Sequence, residues 1–300
     1  MGKTAARVLI GVLVFAFAFV VVGGFFLVRH PIATFERLGR WKLRSAGLKR
    51  HELPGEHGRL VWWSGGSGPV LMLLHGANDS AAGWARVAEP LARGRRLVVP
   101  DLPGHGQSGP GEGPLPIGDM LAGIDRVAKE ESPSQPLTLV GNSMGGWLGL
   151  LYAREHPDRV ARVVIENGAP VAAGIGKVNM LPKNSVEMRA TLEALTGPDA
   201  PSFPEFVVED LVRRTPSSSF ARVARTDLRP YVLDGRLGEI RVPVTLVWGD
   251  SDDLLPISYA ESLRSQLPDA RLEVLPRCGH VSHRECPDKF VAAIEKAVAR

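Results

Sequence analysis

Leu139-Val140-Gly141-Asn142-Ser143-Met144-Gly145-Gly146 is the stretch on which the reading of this chain turns. An apolar run, Leu137–Val140, leads into it, and a helical pattern, Met144–Glu155, leads out. The core of the stretch is G-x-S-x-G between a strand and a helix, the arrangement of a nucleophile elbow. The five-residue pattern alone is a weak signal in a chain with 33 glycines; the strand–turn–helix setting makes it strong. The spacing has a physical reason. Glycines two before and two after the serine let strand and helix approach with no side chain between them. The serine projects from the top of a sharp turn, at a helix N-terminus whose partial positive charge favours anions.

Outward from the elbow, short apolar runs alternate with helical stretches. The runs are Leu60–Trp63, Val70–Leu74, Arg96–Val99, Leu137–Val140, Val163–Ile165, Val244–Trp248 and Leu272–Leu275. Several are apolar throughout, as strands covered on both faces are. Helices are predicted at Ile117–Glu130, Met144–Glu155, Ile257–Gln266 and Asp288–Val298. The alternation predicts an α/β fold, a mostly parallel sheet flanked by helices. Residues 171–238 break the rhythm. They hold helical pieces (Ser185–Leu195, Pro204–Arg213) and Pro/Ser-rich turns but no clear strand, which predicts a helical insertion.

Open α/β sheets bind ligands beyond the carboxyl ends of their strands, so the turns after the strands are where chemistry is expected. A serine nucleophile needs a base, and the base an orienting carboxylate, in the chain order Ser, acid, His. The turn after the last strand contains His280. The turn after Val244–Trp248 reads Gly249-Asp250-Ser251-Asp252-Asp253 and offers three acids. An oxyanion needs backbone donors: Met144 N–H, next after the serine, and Ala77 N–H in the turn His75-Gly76-Ala77-Asn78 after Val70–Leu74. His75 is read as structural.

With these pieces in place the chain resembles the α/β-hydrolase superfamily over about residues 58–300. The resemblance is carried by LLHGAN (73–78), DLPGHGQSG (101–109), LVGNSMGG (139–146), YAREHPDRV (152–160), VPVTLVWGDSDDLLP (242–256) and CGHVSHRECP (278–287). It implies Asp252 as the acid, four before Pro256, with Asp253 second. It places His280 in a G-H-x-x-x-x-E-x-P pattern with Glu285 and Pro287. Asp250 then becomes a flanking acid, His283 a bystander, and 171–238 a cap or lid. The activity implied is that of a serine hydrolase cleaving carboxylic esters through an acyl-enzyme, of carboxylesterase or lipase type, acting as a monomer on apolar acyl substrates. A carbon–carbon bond hydrolase of the meta-cleavage-product type is the alternative. Such enzymes resemble the chain at GNSMGG and Ala82-Gly83-Trp84, but usually carry an aromatic residue after the histidine, where this chain has Val281. A non-catalytic hydrolase-fold binding protein stays as a third reading. Serine at the nucleophile position argues against epoxide hydrolases and haloalkane dehalogenases, which use an aspartate there. No metal-ligand spacing or nucleotide-binding glycine motif is present, so no cofactor and no metal are expected.

Charge separates one end from the rest. The 300 residues carry a net +4, but residues 1–50 hold nine basic side chains and one acid, a net +8 that leaves −4 for the remainder. Nucleic-acid binding is therefore not expected of the acidic remainder. Val8–Val28 is a run of 21 residues without a charge, long enough for a transmembrane helix. A single-pass N-terminal membrane anchor is favoured over a cleaved signal peptide, because Val22-Gly23-Gly24 is a poor cleavage site and Phe25-Phe26-Leu27-Val28 continues the run. The side of the membrane is open: the basic flank after the run favours the cytoplasm, the short basic start favours export. The expected organisation is a tail and anchor (1–28), a basic juxtamembrane linker lying along anionic headgroups or simply solvated (29–57), a hydrolase core (58–170 and 239–300) and the cap (171–238). Cys278 and Cys286 bracket His280. Two free buried thiols are favoured over a disulfide, which would suit an exported domain.

Overall fold

The apolar runs assemble because most of them have no polar face to turn to water. The computed structural model describes residues 22–299. In chain order it shows helix α1 (Pro31–Ser45), strands β1 (Lys49–Gly55), β2 (Gly58–Gly65), β3 (Val70–Leu74) and β4 (Arg96–Asp101), helix α2 (Ile117–Glu131), strand β5 (Leu137–Asn142), helix α3 (Met144–Glu155) and strand β6 (Val160–Glu166). The insertion helices α4 (Ser185–Leu195), α5 (Glu205–Arg214) and α6 (Ser219–Val223) follow, then β7 (Val244–Gly249), α7 (Ile257–Gln266), β8 (Ala270–Leu275) and α8 (Pro287–Val298). One eight-stranded sheet runs in the order β1-β2-β4-β3-β5-β6-β7-β8. β1, β2 and β4 pair antiparallel; every other neighbour pair is parallel.

Side chains alternate across a strand, so each strand feeds two cores. Met72 and Leu74 join α2, α3 and α7 on one face, while Leu71 and Leu73 join α1 and α8 on the other. Burial on both faces is why β3 reads as an unbroken apolar run and why Leu137–Val140 and Val244–Trp248 are interrupted only by Thr138 and Thr245. Parallel strands joined by helices bring their carboxyl ends to one edge, which is where the elbow, the acid turn and the histidine turn all lie.

The first strand and first helix correct the expectation of a linker at 29–57. β1 pairs along its whole length with β2, from Lys49 opposite Ser64 to Gly55 opposite Gly58. It is an edge strand, so Lys49 and Glu52 stand in solvent and Arg50 lies half-buried without cost, and nothing apolar announces it. α1 buries Pro31, Gly39 and Leu43. A Cβ on Gly39 would come within 2.7 Å of the Ala82 side chain and carbonyl, so only glycine lets α1 lie this close to the body. Three small or isolated buried positions make too narrow a stripe to stand out from the bases around it. The folded unit therefore begins near residue 31, not 58.

Residues 8–21 of the expected anchor lie outside the described residues. Residues 22–29 are helical, with Val22 and Phe25 to Val28 exposed. Among the described residues no helix is long and apolar enough to cross a membrane.

Candidate active site

Ser143 sits between β5 and α3 with φ 51° and ψ −116°. That left-handed conformation costs a non-glycine residue about 1–3 kcal/mol and persists only where its surroundings enforce it. They do so here. A Cβ on Gly145 would run into the Leu74 carbonyl oxygen, and one on Gly141 into the Gly145 backbone, so both glycines are required by contact. Ser143 N–H donates to the Glu166 carbonyl at 2.9 Å, tying the elbow to the end of β6.

The turns after β7 and β8 meet beside it. His280 Nδ1 lies 2.7 Å from Asp252 Oδ2, and both residues are buried. Asp253, the second choice, is exposed and turns its backbone N–H to the Ala194 carbonyl at 3.0 Å. Asp252 Oδ1 accepts the Leu254 and Leu255 N–H groups at 3.0 and 3.1 Å. Its Oδ2 also accepts Asn167 Nδ2 at 2.7 Å. The carboxylate is thus saturated with donors and fixed in place. Burial alone would depress the His280 pKa, but the charge and hydrogen bond of Asp252 outweigh it, with Glu166 and Glu285 adding, and hold it above the ordinary value of 6.5. The His280 carbonyl accepts Asn142 Nδ2 at 2.8 Å, one residue before Ser143, which brings the histidine turn onto the elbow.

Two residues at the end of β6, absent from the expected set, hold these turns together. Asn167 takes φ 43°. Its Oδ1 accepts Gly249 N–H at 3.0 Å, which leaves Nδ2 to face Asp252 and fixes the amide orientation. Glu166 is fully buried; its carboxylate accepts both His283 N–H and His283 Nδ1–H at 2.7 Å. His283 also stacks on Trp84, ring centroids 4.1 Å apart. It is therefore no bystander, because it fastens the histidine loop to the sheet. The signal that would have found both residues is their position: polar residues at the carboxyl end of an apolar strand. Replacing Asn167 by Ala is expected to cost about 1–3 kcal/mol, since it orphans the buried Gly249 N–H and removes a donor from Asp252. A denaturant midpoint unchanged from wild type would refute this.

The cysteines differ from the favoured expectation of free thiols. Cys278 and Cys286 form a disulfide, S–S 2.10 Å, with Cα atoms 6.2 Å apart. The reason is the tight loop that returns the chain from His280 into α8. A cross-link over so short a loop contributes about 2–3 kcal/mol through the unfolded state. Reductant should lower the melting temperature accordingly, and a melting curve indifferent to dithiothreitol would disprove the bond's contribution.

The oxyanion turn lies against the elbow. A Cβ on Gly76 would approach Ser143 Cβ to 3.2 Å. Ala77 packs on the cluster that includes Met144, and Met144 opens α3, so its N–H has no partner within the helix. His75 is buried and its Nε2 accepts Leu102 N–H at 3.0 Å, which puts its proton on Nδ1, 2.8 Å from the Gly76 carbonyl. It braces the turn. His105, its ring tilted against that of His75 with centroids 5.0 Å apart, is held neutral by burial, its pKa depressed to about 3.

The insertion covers this edge. The Leu195 carbonyl, at the end of α4, accepts His280 N–H at 2.8 Å. Asn78, at φ 61°, accepts Phe220 N–H at 2.9 Å and Ser219 Oγ–H at 3.1 Å. Arg222 of α6 donates to the carbonyls of Gly104, Pro110, Glu112 and Gly113 at 2.7–3.1 Å. Trp147 Nε1 donates to the Tyr231 carbonyl at 2.8 Å.

The model of one family, the alpha/beta hydrolase family, matches residues 71–293. A 2-hydroxy-6-oxo-6-phenylhexa-2,4-dienoate hydrolase of Burkholderia cepacia is 27% identical over 75% of this chain and 86% of its own. A monoacylglycerol lipase of Mus musculus is 26% identical over 76% of this chain and 75% of its own. Among solved structures, a membrane phospholipase A described as a bacterial virulence factor superposes with a TM-score of 0.77 at 26% identity, covering 97% of each chain.

Proposed function

The chain belongs to the alpha/beta hydrolase family, and from that premise we propose that it is a serine hydrolase of carboxylic esters with apolar acyl groups, held to a membrane by residues 8–28. The observation that carries the reading is the saturated Asp252–His280 pair at 2.7 Å beside a serine held at φ 51°. The histidine is a base whose proton position is set, and the serine is strained into a half-buried position at a helix N-terminus.

In this mechanism His280 Nε2 takes the Ser143 hydroxyl proton as Oγ attacks the ester carbonyl. The Ala77 and Met144 N–H groups receive the oxyanion. The tetrahedral intermediate collapses, the alcohol leaves with the proton from His280, and Ser143 carries the acyl group. Water repeats the cycle with His280 again as base, releasing the acid and restoring the serine. Asp252 keeps the His280 proton on Nδ1 at rest and stabilises the imidazolium. Residues 171–238 act as the cap over the acyl site.

The likeness to a membrane phospholipase A, which covers 97% of this chain, supports both the anchor and a lipid-like ester. The disulfide supports placing the catalytic domain on the oxidising side of the membrane. A second reading, carbon–carbon bond hydrolysis, is favoured by the likeness to the Burkholderia cepacia dienoate hydrolase. Val281 after the histidine weighs against it.

The deciding experiment labels purified protein with a fluorophosphonate, then sets a chain-length series of esters against a vinylogous diketone. Labelling at Ser143 with ester turnover is expected. No labelling would sink the serine-hydrolase reading, and turnover of the diketone alone would install the second. Flotation with vesicles resistant to alkaline carbonate tests the anchor.

A further inference from the structure

Helix α1 has two apolar faces. One, formed by Pro31, Gly39 and Leu43, is buried against the body. The other carries Leu38 and Trp41, which are 56% and 63% exposed; Phe35, four after Pro31 and four before Gly39, belongs to the body-side row and is 43% exposed at its edge. Three-residue spacing places Leu38 and Trp41 side by side in one stripe along the outward side. Arg37, Lys42 and Arg44 border the stripe; all three are exposed and enter no ion pair among the described residues. The helix's one acid, Glu36, is half-buried and paired with Arg40 at 3.4 Å. The outward face is therefore an apolar centre with a basic rim and no acid.

We propose that this face is a lipid-docking surface: α1 lies along an anionic bilayer with Leu38 and Trp41 among the headgroups. The proposal rests on the anchor reading and adds to it the orientation of the enzyme. Three observations carry it. The uncharged run ends at Val28, three residues before α1, and Val22 and Phe25 to Val28 continue its apolar surface in exposed positions. The chain then breaks at His30, φ −140° and ψ 58°, and Pro31 cannot extend the preceding helix's hydrogen bonding, so α1 takes a direction of its own. The other five tryptophans, at 62, 63, 84, 147 and 248, are at most 8% exposed; only Trp41 stands outside, in the position an interfacial aromatic takes. A second copy is a poorer occupant. Two-fold pairing would set Arg37, Lys42 and Arg44 against themselves, whereas anionic headgroups complement them.

The docked face is joined to the catalytic edge. Ile32 N–H donates to Asp210 of α5 at 3.3 Å, and Arg213 reaches the Arg29 carbonyl at 3.4 Å. The Phe35 ring lies under the Arg284 guanidinium, 5.0 Å away, and Arg284 pairs with Asp79, one residue after Asn78. Lipid contact thereby fixes the attitude of the insertion and the oxyanion turn toward the leaflet that supplies the ester.

Trp41 makes the test direct. Full-length chain is reconstituted in phosphatidylglycerol–phosphatidylcholine vesicles whose acyl chains are either plain or brominated near the headgroup. Quenching of tryptophan emission is expected in the brominated vesicles, with loss of that quenching in Trp41→Phe. Leu38→Glu is expected to weaken it and to slow cleavage of a vesicle-borne ester while leaving a soluble short-chain ester unaffected. Chain that floats with vesicles but shows no brominated-lipid quenching, or equal quenching in Trp41→Phe, overturns the docking surface and leaves the anchor standing. Chain that does not float overturns both. Trp41 emission that follows protein concentration instead of lipid, with dimers in sedimentation, assigns the face to a second copy and overturns the proposal.

Discussion

Ser143→Ala is expected to lower kcat by about 10⁶-fold, the scale on which such enzymes lose activity when the nucleophile is removed. The fold should not follow. The elbow is shaped by Gly141, Gly145 and the Ser143 N–H to Glu166 bond, none of which uses the hydroxyl. Melting temperature and circular dichroism should therefore match wild type while ester turnover and phosphonate labelling vanish. A variant that keeps more than a few per cent of activity would mean that another group attacks the substrate.

Asp252→Asn should cost about 10⁴-fold in kcat, and the reason is visible in the donors around it. Leu254 and Leu255 N–H groups demand an oxygen at the Oδ1 position. The new amide nitrogen must then occupy the Oδ2 position, where it faces two donors, Asn167 Nδ2 and His280 Nδ1. His280 can relieve the conflict only by moving its proton to Nε2, the nitrogen that must accept from Ser143. The pH profile carries a second signature. His280 works as the neutral base, and its pKa is raised, chiefly by Asp252 against the opposing effect of burial. Wild-type kcat/KM should thus fall as pH drops through a value above 6.5, and the acid limb should move to lower pH when the carboxylate is lost. Asp253→Asn, at an exposed position, should change kcat by no more than about two-fold. Equal losses in the two variants would overturn the assignment.

Much of the architecture is written locally. β3, β5 and β7 are apolar because they are covered on both faces, and Gly141 is required by its contact with Gly145 within the elbow itself, so both can be read along the chain. Gly145 is required by the distant Leu74 carbonyl, and only the recurring pattern reveals it. α1 and β1 cannot be read in this way. Their buried contacts are few, and their exposed positions tolerate the charges that suggest a linker. The turn after β7 offers three acids and the resemblance ranks Asp252 before Asp253, but only the meeting of two distant turns, which buries Asp252 against His280 and leaves Asp253 exposed, separates them. Glu166 and His283 lie 117 positions apart, and nothing near either one foretells the other. The cysteines' spacing allowed both outcomes, and it is the return of the histidine loop that brings the sulfurs together.

The pair Glu166-Asn167 has a consequence for how this enzyme could diversify. These adjacent residues anchor the serine through the Glu166 carbonyl, the acid through the Asn167 amide and the histidine loop through the Glu166 carboxylate. They do so at the last point before the chain leaves the sheet for the insertion and returns at β7. The reacting groups are thus registered to one another upstream of every residue in the insertion. The covering segment touches that machinery through two carbonyls, Leu195 on His280 N–H and Ala194 on Asp253 N–H. A graft between Gly168 and Pro243 that retains those two acceptors is therefore expected to change what the site admits while the groups beneath keep their alignment.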